Sequence, residues 1–269
     1  MVEFLSYGFV QRGLLAGSLV AASCALLGVF LVLKRLSLIG DGMSHVCLTG
    51  VAVALLTSTS PVYMSIPVVA AASLGIMKLT QKFKIYGDAA IGIVSAAGLS
   101  VGLLLTALAG GFNTDLLGYL FGSILTVTTQ ETVLCAGLLA VVAGGIFTCY
   151  RVLVATCFDE PFAHTRGVAT QTVNTALVLV TSVAVVLSFK VVGIFLISAL
   201  IIIPPVSALL VSRTFKQVLW RSAGLGVLSV WIGVYVSFLF NIPSGAAIIL
   251  TNLCFLFSCY IFSKGGRRA

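Results

Sequence analysis

The segment GLLAGSLVAASCALLGVFLVL, residues 13–33, decides the fold, because it carries no charged side chain along its whole length. A helix rises about 1.5 Å per residue, so a helix of this length spans roughly 30 Å, the thickness of the hydrocarbon core of a bilayer. Lys34 and Arg35 follow at once. The segment therefore predicts a helix that crosses a membrane and ends at a charged boundary.

The rest of the chain has the same character. Hydrophobic residues make up 60% of the 269 residues, charged residues only 8%, and the mean hydropathy is +1.20. Soluble domains carry roughly a quarter charged residues, so this composition excludes a water-soluble globular protein. We expect an integral membrane protein of the all-α class, a polytopic bundle of helices embedded in the lipid bilayer.

The apolar stretches predict about nine transmembrane helices. They lie near residues 13–33, 43–58, 61–77, 89–109, 132–150, 172–189, 191–211, 223–240 and 244–262. Only Lys190 separates the sixth stretch from the seventh, so eight crossings are the alternative. No polar stretch is long enough to fold separately, and residues 1–269 read as a single domain.

The cations orient the bundle. With nine crossings and the N-terminus outside, all basic residues except Arg12 and Lys190 fall on the same side as the C-terminus. Lysine and arginine collect in cytoplasmic loops, which predicts an outside N-terminus and a cytoplasmic C-terminus. Basic loops against anionic lipid also account for the net charge of +8 without a nucleic-acid partner.

No motif in the sequence indicates an enzyme. The chain has no G-x-x-x-x-G-K-[ST] loop for ATP, no G-x-S-x-G elbow and no H-E-x-x-H zinc motif. The hypothesis of a membrane enzyme or a structural scaffold has no catalytic constellation in the sequence to support it. ATP hydrolysis would need a separate chain.

The polar residues Asp41 and His45 follow the first apolar segment, within KRLSLIGDGMSHVCLTG, residues 34–50. Residues four apart share one helix face, and a carboxylate with an imidazole suits a divalent cation such as Zn²⁺ or Mn²⁺. Charges buried against lipid cost several kcal/mol, which favours a position facing a protein interior or an aqueous path. The alternatives are an ion pair at the membrane interface, or an N-cap by Asp41 with His45 as packing.

A family resemblance supports the metal interpretation. The chain resembles the permease subunits of bacterial zinc, manganese and iron ABC importers in five ordered segments. These are LKRLSLIGDGMSHVCLTGVAVALL (33–56), IYGDAAIGIVSAAGLSVGLLL (85–105), NTDLLGYLFGSILTVT (113–128), VVGIFLISALIIIPPVSALLVS (191–212) and NIPSGAAIIL (241–250). Pro204-Pro205 departs from the usual Pro-Ala of that family.

The resemblance implies a permease of the bacterial cytoplasmic membrane that carries Zn, Mn or Fe as its substrate, with no permanently bound cofactor. It implies three protein partners: an ABC ATPase subunit, an extracytoplasmic metal-binding protein and a second copy of the chain as a homodimer. Asp41 and His45 match the motif positions that line the metal path. A secondary transporter driven by ions is the alternative, although no paired halves of the kind such transporters show are visible.

The segment ATCFDEPFAHTRGVATQ, residues 155–171, is the longest polar interruption on the predicted cytoplasmic side. Phe158 and Phe162 would share one side of a short amphipathic helix suited to a partner's groove. The resembling family places an ATPase-coupling helix here, and the matching positions are Asp159, Glu160, Ala163 and Gly167. A solvated loop helix is the simpler alternative.

Two further sets of residues are candidates. Asn113 and Asp115 could cap a helix in the outer loop 110–131, which would serve as an outer gate, as a docking surface for the binding protein, or simply as a re-entrant helix. Pro204 and Pro205 remove two backbone donors, so they should break or bend their helix, as a fixed kink or as a gate hinge.

Overall fold

A computed structural model describes residues 8–108 and 127–266, and every regular element in these ranges is an α-helix. The ten helices are α1 (Gly8–Leu33), α2 (Ile39–Leu56), α3 (Pro61–Lys82), α4 (Gly87–Leu108), α5 (Thr129–Phe158), α6 (Glu160–Thr165), α7 (Thr170–Val192), α8 (Ile194–Val211), α9 (Phe215–Phe240) and α10 (Ser244–Gly266). Each predicted apolar segment coincides with one long helix. The predicted all-α class is confirmed.

Eight of the helices in the described ranges are long and apolar enough to cross a membrane. Helix α8 is a shorter apolar helix, with its apolar part at Leu196–Val211. The protein is therefore a multi-pass membrane protein. Eight, the alternative number of crossings, equals the number of described helices that meet the length and hydropathy requirement.

The segment after α1, the end of α5 and the start of α9 meet at one end of the bundle. The ammonium of Lys34, just after α1, donates a 3.0 Å hydrogen bond to the carbonyl of Thr156, near the end of α5. The ring of Phe215, at the start of α9, lies 5.6 Å from that of Phe30 and 6.0 Å from that of Phe158. We call this the basic end. Its composition agrees with the clustering of cations that the sequence predicts for the cytoplasmic side.

Helices α7 and α8 form an outward and return pair that turns at Gly193. Helix α7 begins at the basic end, where Asn174 bonds Lys34, and α8 returns toward it, where Arg221 donates to the carbonyl of Val211. Gly193 has a φ of +88°, a conformation that residues with a side chain rarely adopt. Because the pair begins and ends at the basic end, α9 starts at the same end of the bundle as α7.

Pro204 and Pro205 do not end their helix, because α8 continues from Ile194 to Val211. Proline at these positions removes the donors that would bond the carbonyls of Leu200 and Ile201. The break in this region lies instead at Gly193, so the predicted break at the two prolines is absent. Their role as a hinge stays a prediction.

Helix α1 is the central element of the core, with Phe30 and Leu31 fully buried. Its Gly28 meets the carbonyl of Ile201 and the ring of Pro205 on α8, and a carbon added at Gly28 would overlap that carbonyl oxygen. Only glycine allows the two backbones to approach so closely. This contact fixes α8, with its two prolines, against the centre of the bundle.

Candidate functional site

Helix α2 is enclosed on most sides and open along one stripe. Gly40 packs against Ile201 of α8, and Gly42 packs against Ile91 of α4. Asp41, His45 and Leu48, spaced at i, i+4 and i+7, form the open stripe near the start of the helix, and the positions between them are buried. The acid and the imidazole therefore lie on the only open face of this part of α2.

Asp41 and His45 face each other at the edge of ion-pair distance. The Nε2 atom of His45 lies 3.8 Å from Oδ2 of Asp41; the side chain of His45 is 33% exposed and that of Asp41 is 55% exposed. From α8, the hydroxyl of Ser198 lies 3.5 Å from the other carboxylate oxygen of Asp41. The carboxylate also sits in the first turn of α2, where the positive end of the helix dipole stabilises it.

The N-cap alternative for Asp41 is wrong. The N-cap residue of α2 is Leu38, which makes no capping hydrogen bond through its side chain. Asp41 lies in the first turn, and its backbone carbonyl accepts a 2.7 Å hydrogen bond from Ser44. Its carboxylate thus does not cap the helix, and it lies on the stripe that it shares with His45.

The stripe offers one carboxylate, one imidazole nitrogen and one neighbouring hydroxyl. In the part of the chain that the structure describes, no group of three or more His, Cys, Asp or Glu side chains is placed to hold a metal ion. A cation held by this carboxylate and this imidazole beside an open face would keep coordination positions for water, which is the chemistry of a site that binds and releases an ion. A closed cage of four ligands would hold the ion instead of releasing it.

Residues at both ends of the short helix α6 favour its formation. Asp159 is its N-cap, and the carboxylate accepts a 2.9 Å hydrogen bond from the backbone N–H of Phe162. Gly167 follows the helix with a φ of +82°. Ala163 is buried against the bundle, whereas Phe158 and Phe162 are 69% and 52% exposed. A short helix is therefore present with Phe162 on its exposed side, but Phe158 lies at the end of α5 and not on the same helix, so the predicted sharing of one helix side is wrong.

The two acids of this segment have partners within the chain. Asp159 caps α6, and Glu160 accepts a 2.8 Å hydrogen bond from the amide of Asn174 on α7. The amide of Asn174 thus joins α7 to the start of α6. The guanidinium of Arg166 lies 4.9 Å from the ring centre of Phe162. Phe158 and Phe162 are the large apolar side chains that this segment exposes.

The sequence missed Ser198 as a neighbour of Asp41, because residues so distant along the chain meet only through tertiary packing. It also missed Lys34 as the partner of Asn174. Asn113 and Asp115, the candidates of the outer loop, lie outside the described residues. Thr128 and Glu131 form a capping box that begins α5.

Comparisons with known proteins relate the chain to a family of transport proteins. A model of the ABC 3 transport family matches residues 6–263. The manganese transport system membrane protein MntC of Halalkalibacterium halodurans is 31% identical, covering 97% of this chain and 89% of its own length. A probable iron transport system membrane protein of Haemophilus influenzae is 31% identical, covering 98% of this chain and 97% of its own.

A solved structure shares the fold. PsaBC from Streptococcus pneumoniae, determined in complex with Fab, contains a chain that superimposes with a TM-score of 0.85 and 28% sequence identity. The match covers 96% of this chain and 95% of that one. The arrangement of helices described above is thus shared over nearly the entire length.

Proposed function

The chain belongs to the ABC 3 transport family, and from this premise we propose that it is the membrane-spanning subunit of an ATP-driven importer of divalent metal ions. The names of its relatives, a manganese transport protein and a probable iron transport protein, support this substrate class. The permease itself hydrolyses nothing. It provides the path, and a separate ATPase drives the change between outward-open and inward-open states.

One observation carries the proposal: Asp41 and His45 occupy the open stripe of an otherwise enclosed helix. An acid exposed to lipid at this position would cost several kcal/mol. A path for a hydrated cation removes that cost, because water and metal solvate the carboxylate. The metal would pass between the carboxylate of Asp41 and the imidazole of His45, with the hydroxyl of Ser198 as a weak neutral oxygen ligand.

The open stripe also supports a homodimer. In a single chain, the side chain of Asp41 is 55% exposed although it belongs to an apolar bundle. A second copy packed against this face would close the path from lipid while leaving it hydrated. We propose that two copies place their stripes toward each other and share one translocation route.

The ligand atoms of Asp41, His45 and Ser198 are compatible with Mn²⁺, Fe²⁺ and Zn²⁺. Carboxylate and hydroxyl oxygens suit Mn²⁺, whereas imidazole suits iron and zinc. The relatives' names favour manganese or iron as the first ions to test. Competition between these ions for uptake would rank them.

We further propose two partner surfaces. The end of α5 and helix α6 would dock an ABC ATPase through Phe158 and Phe162, with Asp159, Ala163 and Gly167 shaping the short helix. The outer loop, with Asn113 and Asp115, would receive metal from an extracytoplasmic binding protein. The bacterial cytoplasmic membrane is the setting in which these partners meet.

The proposal is tested with purified permease, its ATPase and its binding protein reconstituted in vesicles. We expect Mn²⁺ uptake that requires ATP on the ATPase side and metal-loaded binding protein on the other. The control is a vesicle in which the Walker lysine of the ATPase is replaced. Uptake that persists without ATP and follows a proton or sodium gradient would establish the secondary transporter instead.

A further inference from the structure

Three side chains form a hydrogen-bonded chain at the basic end. The ammonium of Lys34 donates to Oδ1 of Asn174 at 2.6 Å, and Nδ2 of Asn174 donates to Oε1 of Glu160 at 2.8 Å. The same ammonium donates to the carbonyl of Thr156 at 3.0 Å. The hydrogen bonds therefore join the segment after α1 to α5, α6 and α7.

The chemistry of the three groups fixes the direction of every bond. An ammonium only donates and a carboxylate only accepts, so the bridging group must offer one acceptor and one donor. An amide does this without adding charge, which makes asparagine suited to position 174. Thr156 lies in the last turn of α5, where carbonyls lack partners inside the helix, and Lys34 supplies one.

The location of these hydrogen bonds links two functional elements. Glu160 is the first residue of α6, the helix proposed to dock the ATPase. Lys34 directly follows α1, and the next helix, α2, begins at Ile39 and carries Asp41. A cavity of about 680 Å³ borders Lys34, Asn174 and Glu160. Because open space lies beside them, the three side chains make a direct polar connection where apolar packing is incomplete.

We propose that Lys34, Asn174 and Glu160 form a relay that transmits movement of α6 to the start of α2, where the metal ligands lie. The relay rests on the proposed function. When the ATPase displaces α6, Glu160 pulls on the amide of Asn174, which holds Lys34. The junction between α1 and α2 then moves with α6, and the Asp41–His45 stripe follows. Lys34 and Asn174 are positioning residues, since neither touches the metal.

The test changes the donor and acceptor groups at positions 174 and 160, first singly and then together. Asn174→Asp keeps the bond to Lys34 but sets a carboxylate against Glu160, which breaks the link to α6. Glu160→Gln alone leaves an amide oxygen that still accepts from Asn174. Combining both changes lets the new amide at position 160 donate to the new carboxylate at position 174, so the relay forms again. A double-mutant cycle isolates this pairwise effect.

The measured quantity is the number of Mn²⁺ ions imported per ATP hydrolysed in the reconstituted complex. Loss of a hydrogen bond from a neutral amide to a charged carboxylate corresponds to roughly a tenfold change. We therefore expect Asn174→Asp to lower the ratio about tenfold, and the double variant to return within about twofold of Glu160→Gln. Gln171→Leu, a change in the same cavity outside the relay, should keep the wild-type ratio.

Co-purification with the ATPase separates coupling from assembly. The relay predicts that all variants retain the ATPase, because the exposed phenylalanines are unchanged. An unaltered ratio in Asn174→Asp, or a loss that Glu160→Gln does not restore, would overturn the relay, as would loss of ATPase binding in Asn174→Asp. Failure of the wild-type complex to import metal would instead contradict the proposed function, and the relay with it.

Discussion

At the scale of single residues, the hydrogen bonds within the chain decide which side chains of α6 remain for the ATPase docking that we propose. Asp159 and Glu160 bond within the chain, to the backbone of α6 and to Asn174. Because both carboxylates already accept hydrogen bonds within the chain, they are weaker candidates for contact with an ATPase. Phe158 and Phe162 expose large apolar areas instead, and buried aromatic anchors dominate binding energies at many interfaces.

Phe162→Ala should weaken ATPase binding by about tenfold or more, since truncating an interface aromatic costs roughly 2 kcal/mol. The measurement is the dissociation constant of the purified ATPase for the permease in detergent. Phe147→Ala is the matched control, because Phe147 is 86% exposed in the middle of α5. Equal affinity in both variants would show that α6 does not dock through its aromatic side.

The open stripe of α2 was partly predictable from the sequence. The spacing of Asp41 and His45 predicted a shared helix face, and the structure places both on the open stripe of α2. Ser198 could not be found this way, because it lies on α8 and approaches Asp41 only through folding. Local spacing specifies neighbours on one helix, whereas partners on another helix depend on how the helices pack.

At the scale of elements, apolar length predicted every long helix, but not every boundary. Helix α2 begins at Ile39, before the predicted residue 43, because Gly40, Asp41 and Gly42 lower local hydropathy without ending the helix. Helix α5 begins at Thr129, where the capping box of Thr128 and Glu131 was available in the sequence as a start. It continues to Phe158, beyond the apolar segment. Polarity marks where a membrane ends, which differs from where a helix ends.

Gly28→Ala should destabilise the bundle by about 1–3 kcal/mol, as overpacking of a tight core does. The added carbon would overlap the carbonyl oxygen of Ile201, so α1 and α8 must separate. Thermal unfolding of the detergent-solubilised permease measures the effect. Gly145→Ala is the control, since nothing lies within 4 Å of the added carbon. Similar unfolding temperatures for both variants would contradict the close contact.

At the scale of the whole molecule, the elements that meet at the basic end predict how the bundle is oriented in the membrane. Hydrogen bonds and ring contacts bring the loops after α1 and α5 and the start of α9 to the basic end. By the positive-inside rule, we predict that this end faces the cytoplasm. The open stripe of α2 begins near the same end. The cations of the sequence predicted this arrangement, whereas the second copy that we propose to cover the stripe could not be predicted from the spacing of residues in one chain.

Labelling of single cysteines tests this orientation. In a variant without native cysteines, His164→Cys should be shielded from a membrane-impermeant maleimide in intact cells, because α6 faces the cytoplasm. Thr59→Cys, in the turn between α2 and α3, should react. Permeabilised cells provide the control for accessibility. Reaction of both positions, or of His164→Cys alone, in intact cells would contradict the orientation.

The central claim is that metal passes along the Asp41–His45 stripe, and Mn²⁺ uptake by the reconstituted complex tests it most directly. Asp41→Asn and His45→Ala each remove one of two strong ligands, and loss of a metal-site group typically costs about tenfold or more. Asp88→Asn is the matched control, a carboxylate in the first turn of α4. We predict uptake at least about tenfold lower in both ligand variants, with dimer and ATPase assembly intact and Asp88→Asn unaffected. Wild-type uptake in both variants, or failure of both to assemble, would contradict the account.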